Sequence, residues 1–438
     1  MRSFSFLVFL AVGFHSEFGH SIELPNIVFI MSDDQGYGDL GCYGATDLKT
    51  PRLDQLAKDG VRFTDFYANG PTCSPTRIGF LSGRYQQRLG IDNALKYQEM
   101  GRGLTPGGET IARDLKSRGY TTGLSGKWHL GYDQGRVPLD QGFDHFFGLL
   151  GGNHHYFKHM DRIGVPDLWL GREAIEREGY TTDLITEDAI AFIRKNQDGP
   201  FFLFLAHAAP HFPFQGPNDK DKLIEPKKKN WQLGDRKTYV AMVERMEEGI
   251  GETLAEIDRL GLREKTIVVF TSDNGGDVHS RNAPFSGRKS TIREGGIRVP
   301  CVARWPGKIP AGTTVSFPAI TMDWSATIRR LAGFKADTDR EDGIDLMPFL
   351  TGEKSEPPER ALFWRRKNDA SRRVDNPSRA IRQGDWKFFE KTDGSGEQFL
   401  FNLISDPGES ENLIKEKPEP ARKLRAKLDE WESAFANE

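Results

Sequence analysis

The chain has 438 residues, and its 60 basic and 63 acidic side chains leave a formal net charge of −3, with 37% of residues hydrophobic. That length is too great for one compact core, so two or more structural units are expected. The mixed charge excludes a strongly basic face for non-specific nucleic-acid binding, and the ordinary hydrophobic fraction points to a soluble globular protein.

In chain order, Arg2 and the apolar run from Phe4 to Phe14 read as a signal peptide, assigned to residues 1–21. The run is too short to span a bilayer comfortably. Three continuous apolar runs then read as strands buried on both faces: Asn26–Met31, Phe201–Leu205 and Thr266–Thr271. Tyr120–Leu124 is a weaker fourth. Helical patterns lie between them, opening at Thr50-Pro51 and closing at Gly60, then at Glu109–Arg118, Asp183–Asn196, Arg236–Leu260 and Asp323–Leu331. This alternation predicts an α/β fold, a large mixed, mostly parallel sheet sandwiched by helices, over residues 22–352. The texture changes after about residue 350. A charged linker, Glu353–Arg360, leads to short strands at Ala361–Trp364, Trp386–Glu390 and Gln398–Leu403 and a helix at Pro420–Phe435. Residues 353–438 are therefore expected to form a small antiparallel sheet with one helix.

Ligands of open parallel sheets bind outside the carboxyl ends of the strands. Four strand ends here deliver polar groups. Asp33 and Asp34 follow the first run, and Asp273 and Asn274 follow Thr266–Thr271. His207 and His211 follow Phe201–Leu205, and Lys127 and His129 follow the weaker strand. The four acidic and amide side chains offer only oxygen ligands, which select calcium or magnesium over zinc or copper. Alone, either pair reads equally well as a helix cap. Lys127, Lys289, Arg77 and Arg288 would make a pocket for a tetrahedral oxyanion if they converge. His129 and His211 have the chemistry of acid–base groups.

Cys73-Ser74-Pro75-Thr76-Arg77, continuing to Leu81-Ser82-Gly83-Arg84, resembles the C-x-P-x-R motif of the formylglycine-dependent sulfatases, of arylsulfatase and N-acetylgalactosamine-6-sulfatase type within the alkaline phosphatase superfamily. The segments SDDQGYGDLGCYG, GKWHLG, APHFP, TSDNGG, REGGIRVP and DPGESENL are similar to family segments in the same order. Thr76 and Ser82 are mild departures. The resemblance implies an alkaline-phosphatase-like fold and a catalytic sulfatase domain at 22–352. It implies that a separate formylglycine-generating enzyme oxidises Cys73. Asp33, Asp34, Asp273 and Asn274, with position 73, would bind one calcium ion. Arg77 would hold the hydrated aldehyde, and Lys127 and Lys289 the sulfate. His129 would orient or deprotonate the nucleophile, and His211 would protonate the leaving alcohol. A hydrated aldehyde suits this task because one hydroxyl attacks sulfur and the second expels sulfate as the aldehyde reforms.

The expected reaction is hydrolysis of a sulfate monoester, on a sulfated carbohydrate or an aryl sulfate. The alternatives are a phosphate or phosphonate ester hydrolase of the same superfamily and a non-catalytic protein that binds sulfated glycans. The segment Gly151–His159 reads equally as a wall of the substrate pocket, offering aromatic and imidazole groups to a sugar, and as a surface loop. Export to a periplasmic or extracellular space, bacterial in origin, follows from the signal peptide and from the lack of an N-x-[ST] acceptor, with no membrane attachment after cleavage. Whether Cys42 and Cys301 pair stays open.

Overall fold

The computed structural model describes residues 24–96, 99–226, 229–368 and 377–434. The expected signal peptide lies outside the described residues. The strands of the large sheet are β1 (Asn26–Ser32), β2 (Val61–Phe63), β3 (Thr121–Lys127), β4 (His145–Leu149), β5 (Phe201–Ala206), β6 (Thr266–Ser272), β7 (Cys301–Arg304) and β8 (Thr313–Val315). Their order is β8-β2-β7-β6-β1-β5-β3-β4, and two short strands, Trp169–Leu170 and Glu173–Ala174, extend the β4 edge to make ten. The central strands β6, β1, β5, β3 and β4 are all parallel, and β7 runs antiparallel between β6 and β2.

The continuous hydrophobicity of β1 has a direct cause. Ile27, Phe29 and Met31 point into one core, with residues of α2 (Cys73–Ser82), α3 (Ile111–Ser117) and, further on, a helix at Thr321–Leu331. Val28 and Ile30 point into the other, against α1 (Pro51–Lys58), α4 (Thr181–Lys195) and α5 (Arg236–Arg259). Each such fully buried side chain contributes roughly 1.5–3 kcal/mol from removal of apolar surface from water. Where side-chain capping occurs it follows expectation: Asp235 accepts from Thr238 N at 2.7 Å and opens α5.

The C-terminal strands β9 (Ala361–Arg366), β10 (Ser378–Gln383), β11 (Trp386–Lys391) and β12 (Gln398–Asn402) form an antiparallel sheet in that order. The C-terminal helix, Pro418–Ser433, covers it with Ala421, Leu424, Leu428 and Trp431. The same apolar cluster takes in Tyr67, Tyr85, Ile292, Ile297, Ile320 and Met322 from the large unit. The small sheet therefore shares its core with its neighbour. Strands β2, β4, β7, β8 and β10 have no counterpart among the expected elements, and β3 runs on to Lys127. Cys42, Cys73 and Cys301 are all free thiols, so Cys42 and Cys301 are not paired. Among the described residues, no helix is long and apolar enough to cross a membrane.

Candidate active site

Sheet register assembles the site. Ser32 of β1 stands opposite Ser272 of β6, so Asp33 and Asp273 leave the sheet side by side. Ala206 of β5 pairs with both Met31 of β1 and Gly126 of β3, which brings Lys127 to the same rim. Gly126 has φ of 120°, and a Cβ there would stand 1.9 Å from the Ala206 carbonyl oxygen, so only glycine allows β3 this approach.

The N-terminus of α2 faces these strand ends. Thr72 precedes the helix in an extended conformation, and Thr76 Oγ1 closes the approach by bonding both Gly70 N and Gly70 O at 3.0 and 3.1 Å. Pro75 lies in the first turn, where no intrahelical N–H is needed. Phe80 stacks on Phe29 at 3.9 Å and seats the helix on the sheet. Cys73 is thereby the first helical residue, 2% exposed, with Sγ 3.4 Å from Asp33 Oδ1. Burial, with Asp33 beside it, pushes its thiol far above the ordinary range.

The expected charges converge. Arg77 is fully buried, with Nε and Nη2 each 2.9 Å from Asp273 Oδ2 and Nη1 donating to Lys127 O at 3.0 Å. Lys127 Nζ is paired with Asp33 Oδ2. Lys289 Nζ reaches Asp34 Oδ2 at 2.6 Å. Burial alone would raise Asp34, but Lys289, His211 and Lys127 outweigh it and hold the carboxyl at about 2. Burial and the Asp33 carboxylate instead push Asp273 up to about 6, against the pull of Arg77. Asn274 Nδ2 donates to Asp34 Oδ1 at 2.8 Å, and its Oδ1 is buried with no hydrogen-bond partner. Asp34 and His129 both have positive φ, 65° and 59°, a strain that concentrates at functional sites.

The two histidines hold opposite tautomers. Carbonyl oxygens only accept, so His129 carries its hydrogen on Nε2, 2.8 Å from Leu95 O, and leaves Nδ1 unpartnered. His211 carries its hydrogen on Nδ1, 2.6 Å from Phe212 O, and leaves Nε2 3.5 Å from Asp34 Oδ2. Burial, then Lys289, holds His211 at about 3, and burial, then Lys127, holds His129 well below the usual imidazole range. A Cβ on Gly152 would lie 2.5 Å from His129 Cε1, so the bare glycine makes room for that ring.

Cys73, His129, His211 and Lys289 line one cleft of about 480 Å³. One ligand atom each from Asp33, Asp34, Cys73 and His211 lie within 4.8 Å of one another, a buried set able to hold a metal ion. The two carboxylates of that set, with the neighbouring Asp273 carboxylate and the orphaned Asn274 Oδ1, are oxygen donors that fit a hard cation. Asp33, Asp34, Cys73, Arg77, Lys127, His129, His211, Asp273, Asn274 and Lys289 are thus brought together, and the expectation for Arg288 is not met. Arg288 is exposed and does not line the cleft. His207 is fully buried, and neither ring nitrogen has a partner.

The expectation for Gly151–His159 needs correction. Gly152 and Asn153 do line the cleft, but the imidazoles and Tyr156 turn inward. His154 bonds Asp167 O and Thr181 Oγ1, His155 Nε2 meets Gln215 Nε2, and Tyr156 Oη donates to Ala208 O. The wall is completed by Asp161, Arg162, Gln232 and Asp277, which no sequence pattern singled out.

A doubly covered parallel sheet, with cations and a buried carboxylate cluster gathered at its carboxyl rim, defines a hydrolase that handles a tetrahedral oxyanion ester. The sulfatase family profile matches residues 25–334, and the profile described as N-sulphoglucosamine sulphohydrolase, C-terminal, matches residues 288–434. The chain belongs to the sulfatase family and is a sulfuric ester hydrolase. It is 33% identical to arylsulfatase A of Homo sapiens over 444 residues, covering 89% of this chain and 83% of that protein. It is 34% identical to N-acetylgalactosamine-6-sulfatase of Rattus norvegicus, covering 78% and 68%. The solved structure of Ps i-CgsB in complex with k-i-k-neocarrahexaose superposes with a TM-score of 0.84 at 30% identity, covering 93% of each chain.

Proposed function

We propose that the chain hydrolyses sulfate monoesters on a carbohydrate, using a formylglycine made from Cys73 and one bound calcium ion. The observation that carries this reading is Cys73 at the start of α2, with Sγ 3.4 Å from Asp33 inside a cleft lined by Lys289, His129 and His211. In that reading the Cys73 Sγ stands where an oxygen of the modified side chain belongs. Calcium would supply Lewis acidity, and formylglycine the paired hydroxyls that turn over a sulfate ester. Asp33, Asp34, Asp273 and Asn274 hold the cation, and Arg77 fixes Asp273 and the floor of the site. Lys127 and Lys289 offset charge on the sulfate oxygens, with the low-dielectric surroundings strengthening both contacts. His129 Nδ1 takes up a proton near the nucleophile, and His211 Nε2 delivers one to the leaving oxygen. The depth of Cys73 favours modification by a formylglycine-generating enzyme before folding, because the finished fold encloses the thiol.

The proposal assigns catalysis to residues 22–352 and a supporting role to 353–438, with export directed by residues 1–21. The relatives' range supports a sulfated glycan, since Ps i-CgsB is described with a neocarrahexaose ligand. Mass measurement of the peptide bearing position 73, together with turnover of sulfated mono- and oligosaccharides before and after chelation, tests the whole reading. An unmodified cysteine in fully active enzyme would overturn it.

A further inference from the structure

The segment DPGESENL sends no side chain into the cleft, yet one of its residues is built into the back of the site. Glu409 is 3% exposed and adopts a φ of 55°. From the loop after β12 its carboxylate reaches both ends of the 286–294 loop of the large unit. Oε2 accepts from Ser286 Oγ at 3.0 Å and from Glu294 N at 2.8 Å. Oε1 lies 2.9 Å from Lys387 Nζ, and that ammonium is also 2.8 Å from Glu294 Oε1. The Lys387 side chain and both carboxylates are fully enclosed. Arg293 Nη1 donates to Glu409 O at 3.1 Å.

Between these anchors lies Lys289. The loop's neck is closed by Gly295 N donating to Ser286 O at 2.7 Å, and Lys289 N donates to Gly276 O at 3.1 Å. Ser290 N donates to Pro71 O at 2.7 Å, two residues before Cys73. The Lys289 ammonium ends 2.6 Å from Asp34. A single carboxylate from the loop after the C-terminal sheet thus clamps the loop that presents this cation.

We propose that Glu409 is a positioning residue for sulfate-ester hydrolysis, holding the 286–294 loop so that Lys289 stays aimed at the sulfate. The inference rests on Lys289 as a sulfate-binding group. Removing the carboxylate strips an acceptor from the buried Glu294 amide and from the half-buried Ser286 hydroxyl, and a counter-charge from the enclosed Lys387, so the loop must shift to replace them. A displacement of about 1 Å at a reacting group costs up to ~100-fold in rate.

The test compares Glu409→Ala, Lys289→Ala and the double variant in the full chain, with rates normalised to the fraction of position 73 found modified by mass. The readouts are kcat/KM on nitrophenyl sulfate and competitive inhibition by inorganic sulfate. Arg379→Ala serves as a stability control, because Arg379 ties the small sheet to its helix through Asp429 and Glu432 and does not touch the loop. Glu409→Ala is expected to lower kcat/KM by roughly 10- to 100-fold and to weaken sulfate inhibition. Added to Lys289→Ala it should cost no more than about twofold further, since both changes remove the same aimed charge. Arg379→Ala should lower Tm with normalised turnover kept within about twofold. Full multiplication of the two losses in the double variant overturns the proposal while leaving the role of Lys289 intact. Unchanged turnover and sulfate inhibition in Lys289→Ala alone removes the premise and the proposal with it. If Glu409→Ala does not fold, Ser286→Ala, which loses one bond to the same carboxylate, replaces it in the same cycle and must show the same non-additivity.

Discussion

His211→Ala should separate two substrates that share a sulfate and differ in their leaving group. The Nδ1–H of His211 is committed to Phe212 O at 2.6 Å, so Nε2 is the atom available to the substrate, and the ring borders the cleft at 4% exposure. Burial and Lys289 hold the ring at about 3, neutral before an anion arrives. A negative charge placed about 4 Å away is worth about 4 kcal/mol at an effective dielectric of ~20, or about three pH units. That returns the imidazole to the range where it can carry a proton. General acid help is worth roughly 100- to 10,000-fold, or about 3–5 kcal/mol of barrier. An alkoxide leaving from a sugar is a strong base and needs the full amount. A nitrophenolate needs little. The assay is kcat/KM for His211→Ala on nitrophenyl sulfate and on a monosaccharide sulfate, normalised to modified enzyme. Any effect on the nucleophile or on cation binding appears in both rates and cancels in their ratio. Equal losses on the two substrates would refute the assignment of the proton to His211.

Gly152→Ala places a Cβ 2.5 Å from His129 Cε1, so turnover of both substrates should fall at least ~10-fold with the circular dichroism spectrum unchanged. Chelation should lower Tm, and calcium at 100 times its dissociation constant should restore about 2.7 kcal/mol of stability. Recovery with magnesium but not calcium would contradict the calcium assignment. His207 is held at about 3 by burial, against about 6.5 when unfolded. Its folded pKa is depressed, so its contribution is complete above pH 6.5 and drains as pH falls toward 3, by about 1.4 kcal/mol per unit. Urea unfolding of His207→Leu should therefore lose about 2 kcal/mol less than the parent between pH 7.5 and 5.0. Parallel losses in the two proteins would show that His207 does not titrate in this way.

The strands of the large sheet most legible in the sequence are the long central ones with both faces in a core. β1, β5 and β6 are unbroken apolar runs because two helical layers cover them, and the polar residues directly after each run marked the site. β10 escaped notice for the opposite reason. Its sequence SRAIRQ reads as a loop, but Arg379 is neutralised by Glu390, Asp429 and Glu432, and Arg382 by Asp65. The partners that make a charged strand tolerable lie up to hundreds of residues away, beyond any local pattern. Glu409 belongs to the same class: its meaning depends on Ser286 and Glu294, more than a hundred positions earlier.

The site's charged floor was readable for a further reason, which also explains why its wall was not. Parallel register is rigid, so residues one step past paired strands must meet, as Asp33 and Asp273 do. No such rule governs the loop at 151–159. Buried polar groups need hydrogen-bond partners, and a loop can find them on either side. His154 and Tyr156 find theirs in the protein, at Thr181 and Ala208, which leaves the cleft face to Gly152 and Asn153. A run of histidines and aromatics therefore establishes that such partners exist nearby without saying in which direction they lie. The rest of the cleft wall is set instead by Asp161, Arg162 and Asp277, brought together from two separate loops.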